Sequence, residues 1–207
     1  RRATFAHDAR PSSRAGPGRR PPPHLRRQRL PALDPDRPTR GPAGGRPVAN
    51  FTFALNYAMS GLDVWSYHAT NLLVHVLAAL TLFGVVRRTL TQPSLHTRFG
   101  AIALPIAAAA ALLWAVHPLQ TATVDYVSQR TEQLMALFYL LSLYAFIRGT
   151  ESSPRLWHPL TVAACALGMA SKEVMATAPV LILLYDRTFV AGSFRTALRQ
   201  RWPLYTA

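Results

Sequence analysis

Three groups of polar side chains interrupt the apolar stretches of this sequence, and their residue types suit the handling of an anion and of hydroxyl groups. His68, Asn71 and His75 recur at i, i+3 and i+7, which places them on one face of a helix. The run HPLQTATVDYVSQRTEQL collects His117, Gln120, Asp125, Gln129, Arg130 and Glu132 within sixteen residues. Ser171, Lys172 and Glu173 form the third group, and Lys172 is the only lysine in the chain.

Each group has a chemical and a structural reading. Arg130 can hold a phosphate or a sugar hydroxyl through its planar fork, or it can cap a helix as an interfacial charge pair with Glu132. Lys172 can meet an anion, or it can snorkel to lipid headgroups. The histidine and asparagine face can touch substrate, or it can bridge helices by hydrogen bonds. A metal site is the one reading that geometry removes: residues seven apart on a helix lie about 10 Å apart along its axis, and Leu72 stands where a ligand at i+4 from His68 is needed.

The elements that must carry these groups are set by hydrophobicity. Crossing ~30 Å of hydrocarbon takes about 20 mainly apolar residues. Five blocks approach that length, at residues 67–86, 99–116, 133–147, 156–170 and 174–190. The segment 50–65 is too short and too polar to cross, but Phe51, Ala54, Leu55, Ala58 and Leu62 recur at helical spacing, as in a helix lying on the membrane surface. The sequence therefore predicts an all-α membrane protein with about five transmembrane helices plus an interfacial helix. Asp63 reads as a turn residue after Gly61, and Asp186 as the partner of its neighbour Arg187.

Charge supplies the orientation. Arg87, Arg88 and Arg98 flank the first connection, Arg148 and Arg155 the third, and Arg187, Arg195, Arg199 and Arg201 follow the fifth block. With five spans these places fall on one side, the cytoplasmic one by the positive-inside rule. The other side receives residues 46–66, 117–130 and 171–173, with only Arg46, Arg130 and Lys172 as basic residues. All three polar groups then meet at one extracytoplasmic face.

The net charge of +14 misleads if taken whole. Residues 1–45 hold eleven Arg against three Asp, a local charge of +8, together with nine of the 17 prolines. Such a segment lacks the apolar periodicity that offsets the entropy of ordering, and it reads as a disordered tail, as a basic arm, or as coding sequence translated from the wrong start. The rest, 46–207, carries its charge between apolar blocks, so nucleic acid is excluded as a partner. A single cysteine, Cys165, excludes an internal disulfide and a cysteine-based zinc site. The chain opens RRATF, with no signal peptide at that end, and stops at WPLYTA beside another apolar stretch; a fragment of a longer protein is the expectation.

The stretches RPVANFTFALNYAMSGLDVWSYHATNLLVH, LLWAVHPLQTATVDYVSQRTEQLM and ACALGMASKEVMATAPVLILLYDRTF, in that order, resemble the membrane half of the tetratricopeptide-repeat O-mannosyltransferase-like proteins of the GT-C glycosyltransferase class. The resemblance covers residues 46–204. It implies a polytopic enzyme that takes a sugar from a polyprenyl-phosphate donor and transfers it to a protein acceptor's hydroxyl at the extracytoplasmic face. Membrane lipid, donor and acceptor are the partners it implies, in a bacterial inner membrane or, in a eukaryote, the endoplasmic reticulum membrane. His117, Pro118 and Gln120 match the family's His-Pro loop, Arg130 and Glu132 its Arg-x-Asp/Glu motif, and Ser171, Lys172 and Glu173 its Ser/Thr-Lys-Glu motif. His68, Asn71 and His75 match the span that begins Tyr-His-x-x-Asn.

Two departures accompany the match. Ala122 stands where the family pattern has Glu, and the acidic residues that serve as base or metal ligand belong upstream of Arg46, where Asp34 and Asp36 are the candidates. A divalent metal is therefore an expectation for the full-length protein only. Longer members add tetratricopeptide repeats, and no 34-residue helical repeat is visible here. The alternative function is a non-catalytic membrane anchor or scaffold for such a repeat domain; a transporter would want paired broken helices, which Pro105 and Pro179 do not supply. An enzyme, unlike an anchor, has reason to bring His117, Arg130 and Lys172 to one pocket.

Overall fold

The computed structural model describes residues 46–206, so the tail 1–45, with Asp34 and Asp36, lies outside the described residues. Among the described residues every regular element is helical. Helix α1 (Pro47–Ser60) begins on proline, whose missing N–H costs nothing in the first turn. It ends at Gly61, where φ is 60° and the N–H closes on the Tyr57 carbonyl at 2.8 Å. Asp63 then caps helix α2 (Val64–Leu90) by accepting the Trp65 N–H at 3.2 Å, as its turn position predicts.

Helices α3 (Pro93–Phe99) and α4 (Ala103–Ala115) follow with a single 3-10 turn between them. The short α5 (Thr121–Asp125) leads to α6 (Arg130–Glu151), and α7 (Pro154–Met169) returns against it. Helix α8 (Ala178–Tyr185) widens into a π turn at Asp186–Ala191 before α9 (Phe194–Tyr205).

All five apolar blocks fall on helices. Four stretches are long and apolar enough to cross a membrane: Val64–Leu90, Pro93–Ala115, Val127–Glu151 and Glu173–Ala191. The remaining block, 156–170, is α7, whose 16 residues fall short of the ~20 that a perpendicular crossing needs. The protein is thus an all-α membrane protein, with α1 as the surface helix. The stripe Phe51, Ala54, Leu55, Ala58 and Leu62 is exposed, while Ala49 and Asn56 on the other side of α1 are buried against the bundle.

Helix α6 is the spine. Half of its apolar window is buried, against 28% for α2 and 17% for the α3–α4 stretch. Near its start Leu134 and Leu137 join Ala49, Val74 and Ala78 in one core; further along, Leu143, Phe146 and Ile147 join Val85, Ile182 and Tyr185 in a second. On α4 the buried positions are Ala103, Ala107 and Ala111, small residues four apart that let the backbone approach α2 closely. The outward side chains, such as Leu72, Leu73, Leu80, Leu112 and Leu184, are exposed and apolar, as a lipid-facing surface requires.

The two ends of the bundle differ in charge. At one end Arg88 pairs with Glu151, joining α2 to α6, and Ser94 bonds the Phe189 carbonyl at 3.5 Å. Nine of the twelve basic residues from Arg46 onward lie there, with Glu151 and Asp186 as the acids. The opposite end holds Arg46, Arg130 and Lys172 against four acids, Asp63, Asp125, Glu132 and Glu173. The basic residues therefore divide as the alternating spans predict.

Asp186 does not take Arg187. Adjacent side chains on a helix diverge, and Arg187 lies over the Phe194 ring at 4.7 Å. The wholly buried Asp186 carboxylate instead accepts two bonds from Arg201, at 2.8 and 3.0 Å, and one from the Tyr205 hydroxyl at 2.8 Å. A break in α9 at Arg201, where φ is −128°, turns that guanidinium inward just before Pro203.

Candidate functional site

At the arginine-poor end the polar groups separate into a buried network and an open cleft. The network centres on Arg130 in the first turn of α6, which has no exposed surface. Its Nε donates to Asn71 Oδ1 on α2 at 2.8 Å, and one terminal nitrogen donates to the Tyr67 carbonyl at 2.9 Å. The other donates to Asn56 Oδ1 and to the Thr52 carbonyl on α1, the latter at 3.4 Å. The guanidinium also meets the Phe53 ring at 4.4 Å and the Tyr67 ring at 5.6 Å. One side chain thus ties three helices together.

The asparagines are held in turn. Asn56 Nδ2 donates to Thr70 Oγ1 at 2.9 Å and to the Ser66 carbonyl at 3.3 Å. Asn71 Nδ2 donates to the Val124 and Tyr126 carbonyls, both at 3.4 Å, which fixes the 117–130 connection to α2. Among the described residues no carboxylate reaches Arg130, so neutral oxygens and aromatic faces alone satisfy it.

In this geometry the Arg130 fork does not stand open to an anion: protein oxygens occupy it, and the side chain has no exposed surface. The expected capping pair with Glu132 does not form either, because Glu132 pairs with Lys172. Asn71, named with the substrate-facing groups, belongs to the same buried network. The sequence reading missed Asn56, although a signal was present: Thr52 and Asn56 stand four apart on the face of α1 opposite its apolar stripe.

The cleft lies beside this network. Its volume is about 250 Å³, and His75, Trp114, Gln120, Glu132 and Gln133 line it with Met135 and two alanines. His75 is fixed by a 3.0 Å bond to the Ala115 carbonyl, which requires a proton on its Nε2, and by stacking on Trp114 at 4.9 Å. Glu132 stands in the first turn of α6, and the Lys172 ammonium donates to its carboxylate from the connection between α7 and α8. Val48 N–H bonds the Ala170 carbonyl at 3.5 Å, bringing the start of α1 to the same corner. A carboxylate, amides, an imidazole and an indole converging on one concavity suit a hydroxyl-rich ligand.

Of the residues that the sequence singled out, His75, Gln120 and Glu132 line this cleft, and Lys172 joins them through its pair with Glu132. His117 does not join them: it is exposed, and its Nδ1 accepts the Leu119 N–H at 3.2 Å to start the turn at Pro118. Glu173 is exposed beside Lys172, and the half-buried His68 belongs to neither the network nor the cleft. Among the described residues no three His, Cys, Asp or Glu side chains gather as metal ligands.

A family model described as dolichyl-phosphate-mannose-protein mannosyltransferase matches residues 36–207. The chain is 31% identical over 157 residues to the human protein O-mannosyl-transferase TMTC3, covering 74% of this chain and 16% of that protein. It is 32% identical over 147 residues to the mouse protein O-mannosyl-transferase TMTC2, covering 68% of this chain and 16% of the relative. Against the human protein O-mannosyl-transferase TMTC4 it is 32% identical over 164 residues, with 72% and 21% covered. The chain thus spans about a sixth to a fifth of the length of these curated relatives. No solved structure matches it.

Proposed function

The chain belongs to the dolichyl-phosphate-mannose-protein mannosyltransferase family, and on that premise we propose that it is the membrane portion of a polytopic glycosyltransferase moving a sugar from a polyprenyl-phosphate donor to a protein hydroxyl. The reaction takes place at the extracytoplasmic face of a bacterial inner membrane or, in a eukaryote, of the endoplasmic reticulum membrane. The observation that carries this reading is the cleft at the arginine-poor end, where Gln120 and Glu132 offer hydrogen bonds and the sole lysine stands against Glu132.

In the transfer the acceptor oxygen attacks the anomeric carbon, the bond from that carbon to the phosphate oxygen breaks, and a carboxylate takes the hydroxyl proton. Lys172 is the cation that meets the departing phosphate, aimed by Glu132. Gln120 and Glu132 orient sugar hydroxyls. His117, Glu173 and His68 border this end and contact substrate from its rim. The proton acceptor lies upstream of Arg46, where Asp34 and Asp36 stand. Arg130 and Asn71 are positioning residues, since their bonds hold α1, α2 and α6 in register.

The separation of His117 and the burial of Arg130 favour a second reading, a non-catalytic anchor for a repeat domain. Transfer from a polyprenyl-phosphate sugar to a peptide, in membranes holding the full-length gene product, separates the two. The enzyme reading expects Lys172→Ala to insert normally and lose transfer by at least about tenfold, the loss of one charge-assisted contact. Normal transfer by that variant sinks the role of Lys172. No transfer by the intact protein leaves the anchor.

A further inference from the structure

The opposite end carries a second binding feature, independent of the proposed transfer site. A groove of about 440 Å³ runs between α2 and α6, lined on α2 chiefly by Leu77, Leu80, Gly84, Arg87 and Arg88 and just past its end by Thr91. These residues recur three or four apart and so form one face of the helix. Its apolar half lies toward mid-membrane and its two arginines lie at the last turn of α2. From Leu77 to Arg88 the rise is about 16 Å, close to the ~15 Å half-thickness of a hydrocarbon core. Length and polarity match one acyl chain of one leaflet, ending at its phosphate.

The head of the groove is built rather than incidental. Arg88 is held from both sides, paired with Glu151 and lying over the Tyr144 ring at 5.3 Å. Tyr144 fits there because position 84 is glycine: a β carbon on Gly84 would come within 2.7 Å of the Tyr144 ring. Glu151 balances the charge of Arg88, so the uncompensated charge at the groove is that of Arg87, which is exposed and makes no ion pair or side-chain hydrogen bond among the described residues. The surrounding end adds seven more arginines and only one more acid, Asp186, which Arg201 satisfies.

We propose that this groove is a binding site for an anionic glycerophospholipid of the arginine-rich leaflet, with Arg87 on the headgroup phosphate, Arg88 stacked and paired as its fixed wall, and an acyl chain along Leu77 and Leu80. Anionic lipid is selected over zwitterionic because the groove presents a net positive charge where the headgroup sits. The site keeps α2 and α6 together at a place where the protein's own side chains leave a gap.

Native mass spectrometry of the intact chain in detergent, with phosphatidylglycerol or phosphatidylcholine added at equal concentration, tests this. The expected result is retention of one phosphatidylglycerol at about tenfold lower concentration than phosphatidylcholine, with Arg87→Gln removing the preference. The control is Arg195→Gln, at the same end but outside the groove, which keeps it. Equal retention of the two lipids, or equal losses from Arg87→Gln and Arg195→Gln, overturns the site in favour of diffuse surface charge. Polyprenyl phosphate displacing phosphatidylglycerol from the wild type but not from Arg87→Gln overturns the choice of lipid. Folding of each variant is checked by its thermal unfolding in the same detergent.

Discussion

Arg130 and Asn71 meet across 2.8 Å inside the bundle, and that bond lets a side chain at the start of α6 fix both α1 and the connection that precedes α6. Arg130→Ala leaves the side-chain oxygens of Asn56 and Asn71 without a donor. The expected loss is about 1–3 kcal/mol for each stranded oxygen, the cost of a buried acceptor left unsatisfied. Arg130→Lys recovers little, because an ammonium cannot span the four acceptors of the fork. Thermal unfolding in detergent measures both, and a double-mutant cycle with Asn71→Ala yields a coupling above about 0.5 kcal/mol. Wild-type stability in Arg130→Lys would contradict the network.

Lys172 and Glu132 behave differently. Their side chains are 22% and 37% exposed, so solvent screens the pair and its loss costs under about 1 kcal/mol. Lys172→Met and Glu132→Gln therefore unfold within a few degrees of the wild type while transfer activity falls. A variant that loses folded protein in step with activity would return the pair to a structural part.

At the other end, Arg201→Ala strands a carboxylate that has no exposed surface, whereas Asp186→Asn removes the charge along with its partner's reason for being there. The first is expected to cost about 3–5 kcal/mol and the second less. Hydrogen exchange in α9 reads the difference, with faster exchange in Arg201→Ala. Equal exchange in the two variants speaks against a buried charge pair.

The hydroxyl of Tyr205 on α9 titrates above the ordinary tyrosine value of about 10, first because it is buried and then because it donates to the Asp186 carboxylate. A group whose folded pKa is raised contributes stability that is fully present below the unfolded value and is lost as pH rises through the folded one. The wild type is thus expected to lose stability above about pH 10 more steeply than Tyr205→Phe does. Parallel curves for the two proteins would remove Tyr205 from that loss.

Single cysteines test the orientation. With Cys165 replaced by Ser, cysteines at Glu173 and His117 are expected to react with an impermeant thiol reagent from outside the cell or inside the lumen. Cysteines at Arg98 and Arg195 react only after permeabilisation. The reverse pattern inverts the bundle and with it the assignment of the cleft to the extracytoplasmic face.

The five apolar blocks were legible because a span is a local property: length and composition of a contiguous stretch decide it. The surface placement of α1 was legible for the same reason, in its stripe from Phe51 to Leu62. The partners of Arg130 were not, since Asn56 and Asn71 reach it only when three helices have packed, and spacing along one helix says nothing about register between helices. Asp186 shows the same limit at shorter range. Its neighbour in sequence points elsewhere, and the partner fifteen residues on arrives through a π turn and a broken helix. Of the candidate site, the Glu132–Lys172 contact joins two motifs that the sequence marked separately; Trp114 and Gln133, which complete the cleft, lay unmarked inside apolar runs.

The neutral surroundings of Arg130 have an effect beyond holding helices. Among the described residues no carboxylate cancels its charge, so the guanidinium is a permanent source of positive field embedded in a medium that screens poorly. At about 10 Å, with an effective dielectric constant near 20, a unit charge of this kind lowers the energy of a monovalent anion by about 1.7 kcal/mol. A wholly buried residue thus biases which charges dwell at its end of the membrane.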